Sequence, residues 1–359
     1  AYIYLLQYIN DHRVDTLQNI EKPEIILDNE CLCLTSNSIR QLNVINNYSY
    51  FKGKNESLFS VTNACVTSMG RRLFKERLLY PSINHDIINY RYDLIDLFRN
   101  DNFYEKIQPI LRKVSDLEKS LRKMGLCMIQ QNDFYSDSLS FEYVMKVLHL
   151  MDEEKNILDK MDVNESVQVF HDFYSEIQET FNFLNFSSSG NLERSIFQGN
   201  IYPDLDNYDK LTNEYYEILK DIGIRLSKLL DNSENSIKLD FDERNHWFFY
   251  CTNKRAATLK ERLGNIGSNS IHVRDIKNNI VKSFTAGDFS FKKKDGSSTI
   301  IMLDYVKDVS GKLIIIQDKL SSFNKEKYKE SIYHLFSKYH YQLKKFYLFL
   351  AEIDVYCSA

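Results

Sequence analysis

Eleven lysines and arginines fall between Arg244 and Lys294, against three carboxylates, Glu261, Asp275 and Asp288. That window carries +8 in a chain of net charge −4, so the remainder carries −12. Cations gathered in one segment neutralise phosphates and release their counterions, a chemistry that needs charge and reach but no base-reading geometry. The candidate nucleic-acid backbone contacts are Lys254, Arg255, Lys260, Arg262, Arg274, Lys277, Lys282, Lys292, Lys293 and Lys294. Lys254 and Arg255 begin a predicted helix, whose first amides are further anion donors. Lys292 to Lys294 precede Asp295-Gly296, a hairpin signal that places them at a loop tip. Trp247 and Tyr250 read as core aromatics rather than as platforms for base stacking. The same basic module also fits an acidic protein partner.

Other chemistries lack their residues. Gly311-Lys312 has neither the upstream glycine nor the following hydroxyl of a phosphate-binding loop. There is no Gly-x-Ser-x-Gly elbow. His334 and His340 fall on different helix faces, and the eight histidines show no metal-ligand spacing. Cys31 and Cys33 have no second pair to complete a zinc site, so the six cysteines read as buried thiols of an intracellular reducing compartment. The chain is therefore read as non-catalytic, with no metal or cofactor of its own. No apolar run reaches the ~20 residues of a membrane span. A first residue other than Met points to a fragment or a processed chain.

These cations must be positioned by a mainly helical scaffold. Glycine (11) and proline (4) are scarce, which favours long helices. Helical periodicity fills residues 58–150, punctuated at Pro109 and Gly125, and returns over 163–184. Pro203 begins a long helix to about residue 232. The period then changes: 237–242, 247–251, 271–273, 280–284, 289–293 and 299–303 read as strands around a short helix over 254–263. From about 304 the helix returns. There Ile332, Phe336, Tyr339, Leu343, Phe346, Leu350 and Ile353 hold a heptad seam, read as packing on another long helix of the same chain. The fold class that results is mainly α: a helical bundle with long antiparallel helices and an inserted small α/β module with antiparallel strands.

Six ordered segments carry a resemblance. From Thr67 to Asp93 the chain reads Thr-x-x-Gly-x-Arg-Leu, then Pro81, then Ile-x-x-Arg-x-Asp. Tyr4-Leu5-Leu6-Gln7-Tyr8-Ile9 and Leu34–Leu42 precede it; Asp116-Leu117-Glu118-Lys119, Pro203-Asp204-Leu205-Asp206 and Leu350-Ala351-Glu352-Ile353-Asp354-Val355 follow. Together they resemble the core of the MutS family of DNA mismatch-repair proteins. Gln41 and Asn43 around Leu42, and Lys119 where most members have Arg, depart from the family pattern and suggest a divergent branch of giant-virus type.

The resemblance implies a core/lever helical domain over 1–202, an outgoing lever helix over 203–232, a clamp module over 233–303 and returning lever helices over 304–359. It implies a clamp that grips duplex DNA without sequence specificity, a second MutS-type subunit as partner, and no membrane. It also implies an ATPase domain after residue 359, where ATP and Mg would bind. A helical interaction scaffold, and a MutS relative serving recombination or genome maintenance, remain as alternatives. Arg71, Arg72 and Arg91 of the opening motif read as ion-pairing and domain-contact residues rather than phosphate ligands.

Overall fold

Thr67 and Asn84 start the two helices that the sequence places around Pro81. Each side chain accepts from amides that the first helical turn leaves unpaired: Gly70 N donates to Thr67 at 2.9 Å, and Asp86 N to Asn84 at 2.9 Å. A computed structural model describes residues 2–12, 17, 20, 23, 31–45, 57–153, 157–186, 193–231, 236–244, 246–266, 271–275 and 279–359. These form two units, residues 1–109 with 350–359, and residues 110–349.

The first unit holds α1 (Tyr2–His12), α2 (Ser36–Gln41), α3 (Leu58–Thr62), α4 (Ser68–Leu79), α5 (His85–Arg99) and the start of α6 (Phe103–Leu111). Pro109 does not break the chain as expected. It lies inside α6, where it forgoes an amide bond to the preceding turn, and the helix ends two residues later. The last turns of the chain supply this unit's central group, the Asp354 carboxylate, which is fully buried. It accepts from Val66 N (3.0 Å), Thr67 N (2.8 Å) and Thr67 Oγ1 (2.6 Å) at the start of α4. Negative charge there meets the positive end of the helix dipole. A Cβ at Gly70 would stand 2.8 Å from Asp354 Cβ, so only glycine admits the carboxylate.

The arginines of this segment bond to the chain itself, although Arg71 and Arg72 stay exposed. Arg71 donates to the Cys65 and Val66 carbonyls at 3.2 Å each, and Arg77 pairs with Glu352. Burial, then the neighbouring Arg77, lowers the Arg91 guanidinium below its ordinary value.

The second unit contains α7 (Leu117–Gly125), α8 (Gln131–Glu153), α9 (Ile157–Lys160), α10 (Asn164–Thr180), α11 (Pro203–Asp231), the α/β module, and most of α13 (Asp304–Ser358). The heptad seam of α13 packs within the chain, and its partner there is α10. Phe346 stacks on Phe170 at 4.4 Å between centroids, and Tyr339 meets Phe173 edge-on at 5.4 Å. α11 and α13 run antiparallel: Tyr202 hydrogen-bonds Ser331 (3.2 Å), and further along α11 Tyr208 meets Phe323, earlier in α13.

The module between them comprises β1 (Lys238–Asp242), β2 (His246–Thr252), α12 (Asn253–Ile266), β3 (Ile271–Arg274), β4 (Ile280–Phe284), β5 (Phe289–Lys293) and β6 (Ser298–Leu303). Four antiparallel strands pair in the order β1-β2-β6-β5, and β3-β4 form a separate ribbon. Alternation puts Trp247, Phe249, Cys251, Ile301 and Leu303 on one face. That face shares a core with Leu219, Ile222 and Leu226 of α11, Leu259 and Leu263 of α12, and Leu313 of α13. Each such buried side chain contributes about 1.5–3 kcal/mol. Gly223 lets α11 lie against the sheet; a Cβ there would come within 3.0 Å of the Phe249 ring. Both long helices are thus part of the module's own core.

The cysteines depart from expectation. Cys65, Cys251 and Cys357 are buried, whereas Cys31, Cys33 and Cys127 are exposed. Burial pushes the Cys65 thiol up to about 11, against lesser opposition from Ser358. Cys127 lies in the short connection between α7 and α8, and Cys31 and Cys33 shortly precede α2.

Candidate nucleic-acid interface

The ten predicted cations do not form one patch. β5 is a strand through Lys293, so the three consecutive lysines alternate across the sheet. Lys292 pairs in register with Ile300 and lies on the face opposite the core. Lys294 lies on the same side as Lys292. Its ammonium stands 3.9 Å from the Tyr250 ring centroid and 3.3 Å from Asp240 Oδ2. A cation held over an aromatic face and paired with a carboxylate is committed to the fold. Tyr250 is accordingly half-buried beneath it, while Trp247 is buried as read.

Lys293 takes the opposite side, beside Thr299 and the start of α12. Asn253 ties that corner together: its amide reaches the Ser297 carbonyl (3.0 Å), its Nδ2 the Gly296 carbonyl (2.9 Å), and its Oδ1 accepts from Thr299 (2.8 Å). Lys254 follows in the first turn of α12, exposed. Lys260 lies a turn and a half further along, its ammonium 4.9 Å from the Phe291 ring. Lys254, Lys260 and Lys293 therefore share the α12 side of the module. The first amides of α12 are less available than read, because Asn253 N and Arg255 N are taken by Ser297 and by Thr252 Oγ1 (3.4 Å).

The arginines are mostly structural. Arg262 donates to the Leu229 carbonyl at 2.6 Å and to the Leu230 carbonyl, capping the last turn of α11. Arg255 reaches the Ser236 carbonyl at 3.3 Å. Arg274 is half-buried, its amide donating to Asp221 Oδ2 at 2.9 Å. Lys282 is exposed on β4. Lys277 lies outside the described residues. The side chains that sequence reasoning missed are Arg244 and Lys307. With Lys292 they line a cleft between the start of β2, the end of β6 and α13; Lys307 falls outside the counted charge window, in the first turns of α13.

No helix among the described residues is long and apolar enough to cross a membrane.

A helical scaffold whose two long antiparallel helices build the core of a lysine-bearing α/β module is the class that this fold and site define. A family model, MutS domain III, matches residues 37–359, and the chain belongs to that family. It is 27% identical to a MutS homologue of Acanthamoeba polyphaga mimivirus over 99% of this chain and 32% of that protein. It is 30% identical to the DNA mismatch repair protein MutS of Caldanaerobacter subterraneus over 56% of this chain and 22% of the relative. Similarity to the DNA mismatch repair protein MSH6 of Saccharomyces cerevisiae is 25% over 47% of this chain and 13% of the relative. The chain thus spans about a third or less of the length of these relatives.

Proposed function

We propose that this domain III chain grips the backbone of duplex DNA through Lys254, Lys260 and Lys293, with Lys282 and Lys292 adding charge at the margins, as part of a mismatch-repair machine. The observation that carries this reading is the gathering of exposed lysines around the first turns of α12 and the end of β5, on a module where Arg262 and Lys294 are tied to carbonyls, a carboxylate and a ring. The names of the relatives support the repair setting. α11 and α13 enter the module's core, so gripping loads both helices. In the complete protein they would pass that load to an ATPase domain, which would hold the ATP and Mg, and to a second MutS-type subunit.

Binding of the 359-residue chain to duplex DNA is expected to weaken steeply between about 50 and 200 mM salt, equally for unrelated sequences. The triple variant Lys254→Glu/Lys260→Glu/Lys293→Glu should lose most affinity and flatten the log–log salt slope by about one per lost contact, measured by fluorescence anisotropy. A salt-independent isotherm, or a loss confined to one sequence, overturns the reading. Arg262→Ala should leave that slope unchanged. It should instead lower stability by about 1–2 kcal/mol in urea, because two carbonyls at the end of α11 lose their donor. An altered salt slope in Arg262→Ala would return that arginine to the DNA surface.

A further inference from the structure

Where the start of β2 and the end of β6 meet the first turns of α13, the module carries a cleft of about 250 Å³. Its floor is apolar, formed by Phe248, Ile300 and Met302. Its rim is cationic: Arg244 from the β1–β2 turn, Lys292 from β5 and Lys307 from the second turn of α13, all exposed. Asp304 pairs with Lys307 at 2.9 Å, but it is itself almost fully exposed. Arg244 and Lys292 make no ion pair among the described residues. Trp247 also lines the cleft, although its ring belongs to the module's core, where it meets Tyr216 of α11 at 5.4 Å between centroids.

An apolar floor and a cationic rim ask for a ligand that is apolar in its body and anionic at its edges. Duplex DNA meets only the second demand, since its phosphates are surface groups with no apolar projection to enter a cleft. An extended peptide with acidic residues flanking an aliphatic or aromatic one meets both: side chain on the floor, carboxylates at the rim. We propose that this cleft docks an acidic peptide segment of a partner protein, anchored by one apolar side chain. The proposal stands apart from the DNA reading, because Arg244 and Lys307 lie outside the proposed DNA surface. The two meet at Lys292 alone, so an acidic partner would weaken the grip on DNA modestly and reciprocally.

Trp247 is the chain's only tryptophan and gives a direct readout. The probe is the hexapeptide Asp-Glu-Leu-Phe-Asp-Glu with blocked ends, titrated into the full chain. Saturable change in tryptophan emission is expected, and the same peptide with Ser-Ser at its centre should bind about tenfold more weakly. Arg244→Glu/Lys307→Glu and, separately, Met302→Glu should each weaken the probe about tenfold or more while retaining a cooperative melt. Lys254→Glu should leave it unchanged while weakening DNA. Equal binding of the Ser-Ser peptide, or indifference to the cleft variants, overturns the proposal. An emission change produced by oligothymidine and not by the peptide would overturn it in favour of a nucleic-acid contact.

Discussion

Asp354→Ala should lower the stability of the chain by about 3–5 kcal/mol in urea denaturation, enough to unfold the first unit at physiological temperature. The substitution strands the amides of Val66 and Thr67 and the Thr67 hydroxyl, which all donate to this one buried carboxylate. Each stranded buried donor costs about 1–3 kcal/mol. Gly70→Ala should reach a similar loss from the other side, because its Cβ would occupy the carboxylate's place. The two changes are not independent. Asp354→Gly removes the atoms that a Cβ at position 70 would strike, so Gly70→Ala added to Asp354→Gly should cost far less than the sum of the single losses. Additive losses would mean that glycine at position 70 answers to something other than Asp354. Restored stability in Asp354→Ala without any new acceptor would remove the carboxylate from the account altogether.

This pair explains what the opening motif is for. Thr-x-x-Gly at 67–70 and the Asp354 of the closing Leu-x-x-x-Asp run lie nearly the full length of the chain apart, yet they form a single cap. Local pattern could show that Thr67 starts a helix, since a threonine before a helical run is a local signal. It could not show why the glycine stands three residues later, because the carboxylate it accommodates arrives from another helix.

The same division runs through the module. The Asp295-Gly296 turn and the alternating runs on either side were enough to place β5 and β6, and the change of period after residue 232 marked where the strands begin. The fates of individual cations were not legible. Three adjacent lysines look like one patch in a sequence, and only the pleat of β5 sends Lys293 to one side and Lys292 to the other. Arg262 is drawn to carbonyls some thirty residues away, and Lys294 to a ring and a carboxylate on other strands. Charge counting finds the segment that bears cations; it does not show which of them the fold has already used.

Asp137→Asn should stabilise the chain at neutral pH by up to about 3 kcal/mol and lose that advantage in acid. Asp137 sits on α8, 3% exposed, with Ser115 Oγ donating to one carboxylate oxygen at 2.7 Å. Its other oxygen has no hydrogen-bond partner among the described residues. Burial pushes this carboxyl up to about 6 from an ordinary 3.8, against the opposing hydrogen bonds of Ser115 and Ser120; Asp133 adds to the rise and Lys123 lessens it. The phenols of Tyr328 and Tyr347 share its surroundings and are themselves pushed up, by burial first and by Asp137 next.

The folded chain therefore holds a proton at this site that the unfolded chain has released, over the interval from about 4 to about 6. Stability at this site falls as pH rises through that interval, and the full penalty is present above it. An amide at 137 can still accept from Ser115 and does not ionise, so the variant should be indistinguishable from the parent near pH 4 and separate from it progressively by pH 7. Urea denaturation of both proteins across that range tests this, since other carboxylates titrate alike in the two and cancel in the difference. A difference that stays constant with pH would mean that Asp137 titrates in the folded chain just as it does in the unfolded one, and that burial does not hold its proton.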